Sequence, residues 1–276
     1  GYRMEKMSSK LLFEILDKLT NSKEDHRNLD TMEQYHISNA FKKIDEENNI
    51  PKSSLAKLEL RYLRALERSE YGLPNLENEV SNNPSLFVEA VALTYKRRRE
   101  GTDPEWLRMN PETASQHASN MYHFFRMLSQ VPDKDEFGNE STKKLINWIK
   151  QVQLGAKELD RKEVAENKIG ELLAKSKSGK DGIWPSETVR DALETQSTES
   201  MRNGFEIGKY NLRGVHASGE GGDQEREIES QYRSWASKLS ASHPKVSATL
   251  NRMADNYRRE AEYHDTEAKV RRRVPY

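Results

Sequence analysis

The sequence predicts an all-α fold of stacked antiparallel helical hairpins, solenoid-like or gathered into an irregular bundle, with no significant β-sheet. Apolar residues recur three and four positions apart along most of the chain, and hardly any run alternates with period two. Composition points the same way. Only 34% of the 276 residues are hydrophobic against 33% charged, and the mean hydropathy is -0.98. A chain this polar either lacks the apolar surface to offset chain entropy and stays disordered, or buries one narrow stripe per helix and shows the rest to water. The aromatic residues, 8% of the total and set into the helical stripes, favour the second.

A first helix is expected over roughly residues 5–20, with Leu12, Ile15, Leu16 and Leu19 on one face. A second fits Thr31 to Glu47 through Met32, Tyr35, Ile37, Phe41 and Ile44, with Asp30 and Glu33 as its capping pair. Pro51 stands where a third begins, because the missing N–H has no partner there. Leu55, Leu58, Tyr62, Leu63 and Leu66 form its stripe. LPNLENEV gives a short helix after Gly72, and a longer one starts near Pro84 with Phe87, Ala90, Val91 and Tyr95 inward. Pro104 and Pro111 leave a short helix around Trp106 and a long one from Pro111 to Gln130, in which Met121, Phe124, Phe125 and Leu128 face a core. Helices resume from Ser141 to Leu159 and from Asp160 to Lys175, the latter opened by Asp160 and Glu163. Pro185 then starts SETVRDALE, which runs on less regularly through Met201, Phe205 and Ile207 to Tyr210. A helix from Asp223 to Ser240 and a final one from Pro244 to Arg271 make a closing hairpin, assigned to 223–273. Its last helix spans roughly 40 Å at 1.5 Å per residue.

The chain reads as one helical domain over 1–276 that admits subdivision near 131–142, where VPDKDEFGNEST carries proline, glycine and acid without periodicity. Residues 214–222 read as a flexible glycine-rich loop. A phosphate cradle needs a lysine followed by a hydroxyl, or a strand leading into the glycines; GEGGDQERE has neither, and Asp223, Glu225 and Glu227 would repel phosphate. SKSGKDG fails similarly, with Asp181 where the hydroxyl belongs. Lys and Arg balance Asp and Glu at 45 each, so no global field draws the chain to nucleic acid or acidic membrane. The absence of cysteine excludes disulfides and thiolate zinc sites and suits a reducing cytoplasm, the expected location. No apolar run approaches the roughly 18 residues of a membrane span, so no membrane partner is expected. Gly1 in place of methionine is read as a tag remnant, a processed end or the start of a fragment.

No catalytic, cofactor-binding or metal-ligating residues are assigned. Neither HExxH nor GxSxG occurs, no carboxylate pair stands out among so many, and Glu260 with His264 makes at most half a metal site. Two basic runs could meet nucleic-acid phosphates: YKRRRE, with Arg97, Arg98 and Arg99, and VRRRVPY, with Arg271, Arg272 and Arg273, where Tyr95 or Tyr276 could stack on a base. The preferred reading places both in the last turn of a helix, where the dipole favours cations. Trp148 and Trp235 lie on apolar stripes and belong in the core. Trp106 and Trp184, beside prolines in junctions, are the candidates for an exposed binding contact.

The segment from Pro51 to Lys96 is similar in length to a HEAT or armadillo-type unit. RGVHASGEGGDQEREIESQYRSWASKL with HPKVSATLNRMADNYRREAEYHDTEA, and more weakly NPSLFVEAVALTYKRR, resembles the closing part of large uncharacterised bacterial proteins with helical C-termini. Some of these carry an NTPase or effector upstream and are linked to anti-phage defence. That resemblance implies a C-terminal scaffold or sensing module and brings no catalytic signature. The expected function is a non-catalytic helical scaffold that binds a protein partner or an upstream domain of its parent chain. Nucleic-acid binding through the arginine runs is the alternative, and an enzyme site assembled across helices the third reading.

Overall fold

The computed structural model describes residues 6–21, 29–214 and 221–273. Among these it is helical as the periodicity predicts, with thirteen α-helices and no strand; the nearest approach to a sheet is an isolated antiparallel bridge between Lys134 and Glu140. The chain divides into two compact units, Gly1–Pro132 with Gln151–Ala165, and Asp133–Lys150 with Glu166–Tyr276. No described helix is long and apolar enough to cross a membrane.

The first unit holds α1 (Ser9–Asn21), α2 (Thr31–Glu47), α3 (Lys52–Arg61), α4 (Leu63–Leu66), α5 (Pro74–Asn82), α6 (Pro84–Thr94) and α7 (Pro111–Met127). The expected capping box forms: Asp30 accepts from the Glu33 N–H and Glu33 from the Asp30 N–H, both at 2.8 Å. Phe41, Ile44, Leu55, Leu58, Tyr62, Leu66 and Phe87 are fully buried, and the Tyr62 hydroxyl donates to the Leu16 carbonyl at 2.9 Å. Two stripes are narrower than expected. Leu12 and Leu16 are buried while Ile15 and Leu19 are exposed, and α2 buries Phe41 and Ile44 but leaves Met32 and Tyr35 in water. The third helix breaks at Tyr62 into α3 and α4, so Pro51 to Lys96 holds four helices. Around Trp106 there is only a 3-10 turn, Glu105–Leu107.

Buried and half-buried carboxylates add directional contacts to the apolar core of this unit. The N-cap position of α5 is Leu73, whose side chain cannot accept a hydrogen bond. Glu59, fully buried on α3, supplies the missing acceptor: it takes the N–H of Leu76 at 2.7 Å and of Asn75 at 3.3 Å, the Asn75 carboxamide at 2.8 Å and the Tyr71 hydroxyl at 2.9 Å. Desolvation pushes the Glu59 carboxyl above the usual carboxylate range, against the pull of these four donors. Glu47 on α2 likewise accepts the Ser9 N–H at the start of α1, at 3.2 Å, and bonds from Ser9 hold its carboxyl low. Glu77 accepts the Gln130 N–H at 3.1 Å, the Ser129 hydroxyl at 2.9 Å and the Ser129 N–H.

The second unit holds α10 (Glu187–Gln196), α11 (Glu199–Asn211), α12 (Asp223–Leu239) and α13 (Pro244–Arg273); α8 (Thr142–Glu158) and α9 (Lys162–Leu173) contribute residues to both units. The helix expected to run from Pro185 to Tyr210 breaks at Ser197, and Thr198 caps α11 by accepting the Met201 N–H at 3.2 Å. Trp184 stacks on Phe205 at 4.8 Å, and Tyr232 on Tyr257 at 5.7 Å. Remote caps recur here. Glu194 on α10 accepts the N–H groups of Lys245 and Val246 at the start of α13, at 2.9 and 3.3 Å. Asp265 accepts the N–H of Gly222, which as N-cap of α12 has no side chain to use. Of the glycine-rich loop at 214–222, residues 215–220 lie outside the described residues.

Glycines set the approach of α9 to α11. A Cβ on Gly204 would lie 1.9 Å from the Asn167 carbonyl oxygen, and one on Gly170 2.0 Å from that of Met201. A Cβ on Gly208 would lie 2.7 Å from the Glu171 Cα. The two backbones therefore touch, which only residues without a side chain allow.

Two outcomes test these contacts. Replacing Glu59 by alanine leaves the buried N–H groups of Asn75 and Leu76 without their acceptor and should cost about 3 kcal/mol in urea unfolding, with Glu59→Gln, which keeps an acceptor, less harmful. Gly204→Ala would gain about 1 kcal/mol in an isolated helix, yet here it forces two backbones apart, at about 1–3 kcal/mol or more. We expect a net loss of stability; a gain would show that the close crossing is absent.

Candidate functional site

The residues expected to bind fall into three situations. Arg97, Arg98 and Arg99 lie beyond the end of α6 at Thr94, not in its last turn, so the helix-dipole reading of this run is corrected. They meet the turn between α8 and α9. Asp160 there adopts a left-handed backbone, φ 57°, and does not cap α9 as expected. Its carboxylate accepts the Arg99 N–H at 2.6 Å and its carbonyl the Arg98 N–H at 3.2 Å. The Arg98 side chain pairs with Glu163, and the Arg97 guanidinium donates to the carbonyls of Arg99 and Thr102 at 3.1 and 2.7 Å. The Arg98 and Arg99 side chains nevertheless lie largely in water, 68% and 86% exposed. Arg161, which the sequence did not single out, anchors the arrangement from inside. It grips Asp103 with two bonds of 2.8 and 2.9 Å and donates to the Tyr95 and Leu159 carbonyls. The basic run is thus largely spent on carboxylates and carbonyls of its own unit.

At the C-terminal end Arg271 does sit in the last turn of α13, 76% exposed and paired with Glu267 at 2.8 Å. Of Arg272 and Arg273 the structure describes the backbone alone, and Tyr276 lies outside the described residues. Trp106 is half exposed, at 49%. Trp184 is corrected from a contact candidate to a core residue, 2% exposed. One ring face stacks on Phe205, Tyr232 and Trp235 approach at 6.1 Å, the indole N–H donates to the Ser176 carbonyl at 3.0 Å, and the Lys209 ammonium lies 4.3 Å from the ring centre.

The most enzyme-like array is Ser242, His243 and Asp191. The Ser242 hydroxyl lies 2.9 Å from His243 Nδ1, and His243 Nε2 lies 3.0 Å from Asp191 Oδ1. Acyl transfer also needs N–H donors aimed at a developing oxyanion. The amides that begin α13, those of Lys245 and Val246, are held by Glu194. Ser242 sits on an exposed turn. The array therefore reads as a tether from the α12–α13 turn to α10. Among the described residues no three His, Asp or Glu side chains converge as metal ligands; His264 lies 3.9 Å from Glu267.

What the second unit does present is a groove. Helix α11 turns Met201, Gly204, Phe205 and Gly208 inward. With that face fixed by the glycine contact, Asn203, Glu206, Ile207 and Tyr210, at spacings of three and four, must point away from it. Together with Asn256, Arg259 and Glu260 of α13 they line an open cleft of about 580 Å³. Ile207 and Tyr210 are 48% and 50% exposed. The carboxylates of the cleft are engaged: Glu206 accepts from Arg252 Nε at 2.6 Å, and Glu260 lies 3.9 Å from Arg213. Desolvation raises the Glu206 carboxyl above its ordinary range, and the charge of Glu260 raises the Tyr210 hydroxyl. Nothing in this set combines a free nucleophile with a base; it combines an apolar wall with amides and paired charges, which suits binding.

The sequence held a trace of this groove. Apolar residues at 201 and 205 and again at 207 and 210 fall on two faces of one helix. No family model, curated protein or solved structure matches the chain.

The two arginine environments predict different responses. Arg161→Ala, which unpairs Asp103 and empties a buried position, should cost about 3–5 kcal/mol. Arg98→Ala, at an exposed pair, should stay within about 0.5 kcal/mol of wild type. Thermal unfolding of the two variants distinguishes them.

Proposed function

We propose that the chain is a non-catalytic helical interaction module that binds a protein partner, or a neighbouring domain of a longer parent chain, in the groove between α11 and α13. The observation that carries this reading is the pair Ile207 and Tyr210, half exposed on the wall of a concave cleft although helix α11 has a complete apolar face elsewhere. Ile207 and Tyr210 lie together on one wall of the cleft, a local apolar patch rather than scattered exposed side chains. Covering two half-exposed side chains supplies only about 2 kcal/mol by area. Selectivity then falls to the polar rim, where Asn203 and Asn256 can pair with a peptide backbone and Arg259 with a side chain. The nucleic-acid reading is less well supported, since Arg97 and Arg98 are held by groups of their own unit.

The experiment compares the immobilised chain with its Ile207→Asp, Tyr210→Asp double variant, using lysate of the source cell and quantifying retained proteins. At least one protein should be retained by the first and lost from the second, with helical ellipticity and thermal midpoint unchanged. Equal capture by both would refute the assignment of the groove, and the absence of any specific capture would count against a binding role.

A further inference from the structure

Lys209, on α11, is a half-buried amine that the fold leaves without an anion. Its ammonium lies 4.3 Å from the centre of the Trp184 ring, and among the described residues it makes no hydrogen bond or ion pair. The ring belongs to the aromatic cluster with Phe205, Tyr232 and Trp235. The charged side chains one turn away on α11 are committed elsewhere: Glu206 accepts from Arg252 Nε at 2.6 Å, and Arg213 donates to Glu225 at 2.7 Å. Lys168 shows the ordinary arrangement, in which a buried lysine is paired. Its side chain is 12% exposed and donates to the two oxygens of Glu171 at 2.8 and 2.7 Å. For Lys209 the indole face replaces part of the lost hydration. Burial still draws the amine below the ordinary lysine range, with no neighbouring charge to oppose it.

An unpaired lysine against an apolar wall is the setting that makes an amine a nucleophile near neutral pH, because more of it is in the free-base form. We propose that Lys209 is an acylation site, at which a thioester transfers its acyl group to Nζ and leaves a neutral amide beside the Trp184 ring. The free amine attacks the thioester carbonyl carbon; an N–C bond forms, the C–S bond breaks, and the departing thiolate takes up the proton that the nitrogen releases. No oxidant or reductant is needed. The product suits the site better than the reactant does, since acylation removes the charge that burial disfavours, while the amide keeps an N–H that can point at an aromatic face. Lys168 gains nothing of the kind, because its acylation would leave Glu171 without its cation.

The test is incubation of the full folded chain near neutral pH with a small acetyl thioester, S-acetyl-N-acetylcysteamine, and measurement by mass spectrometry of the initial acetylation rate at each lysine. The exposed Lys143, Lys150 and Lys238 serve as internal standards, and Lys168 as the buried but paired comparison. Lys209 should react at least fivefold faster than the standards, and its rate should level off at a lower pH than theirs; Lys168 should be slower than they are. In urea the rates should converge. A folded-state rate at Lys209 no higher than the standards would overturn the inference, because the amine would not be activated. So would a lead that persists in urea, since the fold would not be its cause, or a Lys168 rate equal to that of Lys209, since the missing anion would then make no difference.

Discussion

A carboxylate on one helix that accepts backbone N–H groups at the start of another is the interaction on which this fold most depends. Every helix opens with amides that have no partner within it, and a local Ser, Thr, Asp or Asn usually answers them. Here α5 follows Leu73 and α12 follows Gly222, neither of which can. Glu59 and Asp265 do so from a distance, as Glu47 does for α1 and Glu194 for α13. Each such bond joins the dipole of one helix to a charge on another. The directional character matters: apolar stripes let neighbouring rods slide, whereas an anion on two adjacent amides fixes where a helix begins. For a chain with only 34% hydrophobic residues, this lets short helices be positioned without a thick core.

Glycine gives the second unit its other constraint. With Gly170, Gly204 and Gly208 in backbone contact, α11 cannot rotate about its axis without driving Met201 or Phe205 out of the core. Its remaining faces are thereby assigned, and Ile207 and Tyr210 are left facing the cleft. This wall of the cleft follows from a packing requirement on the far side of the same helix. The α13 wall is fixed in parallel, because Tyr257 and Ala261 are buried and Gly222 packs against the Ala261 backbone.

Fold class and most helix positions were legible because they rest on spacing. The Asp30 and Glu33 box could be read outright, being local, and so could the buried stripe from Leu55 to Leu66. The remote caps could not: Glu59 and Glu194 look like any solvent-facing acid in a chain one-third charged, and the amides they cap are 16 or more residues away. The same blindness misassigned Asp160, whose pattern with Glu163 imitates a capping box although its carboxylate turns to the Arg99 N–H. Trp184 shows the limit of neighbour-based reasoning, since a proline beside it suggested an exposed junction while the aromatic cluster that buries it comes from α11 and α12. Gly204 and Gly208, four residues apart inside a helical segment, were the overlooked signal, for glycine in a helix interior costs about 1 kcal/mol and needs a packing reason.

The most direct measurement of the capping account is native-state hydrogen exchange at the first turn of α13 in wild type and in Glu194→Ala. If the remote carboxylate fixes that terminus, the amides of Lys245 and Val246 should exchange at least tenfold faster in the variant, while amides in the middle of α13 keep their protection. Unchanged exchange at those two positions would contradict the account, because the start of the helix would then be held by something other than the Glu194 carboxylate.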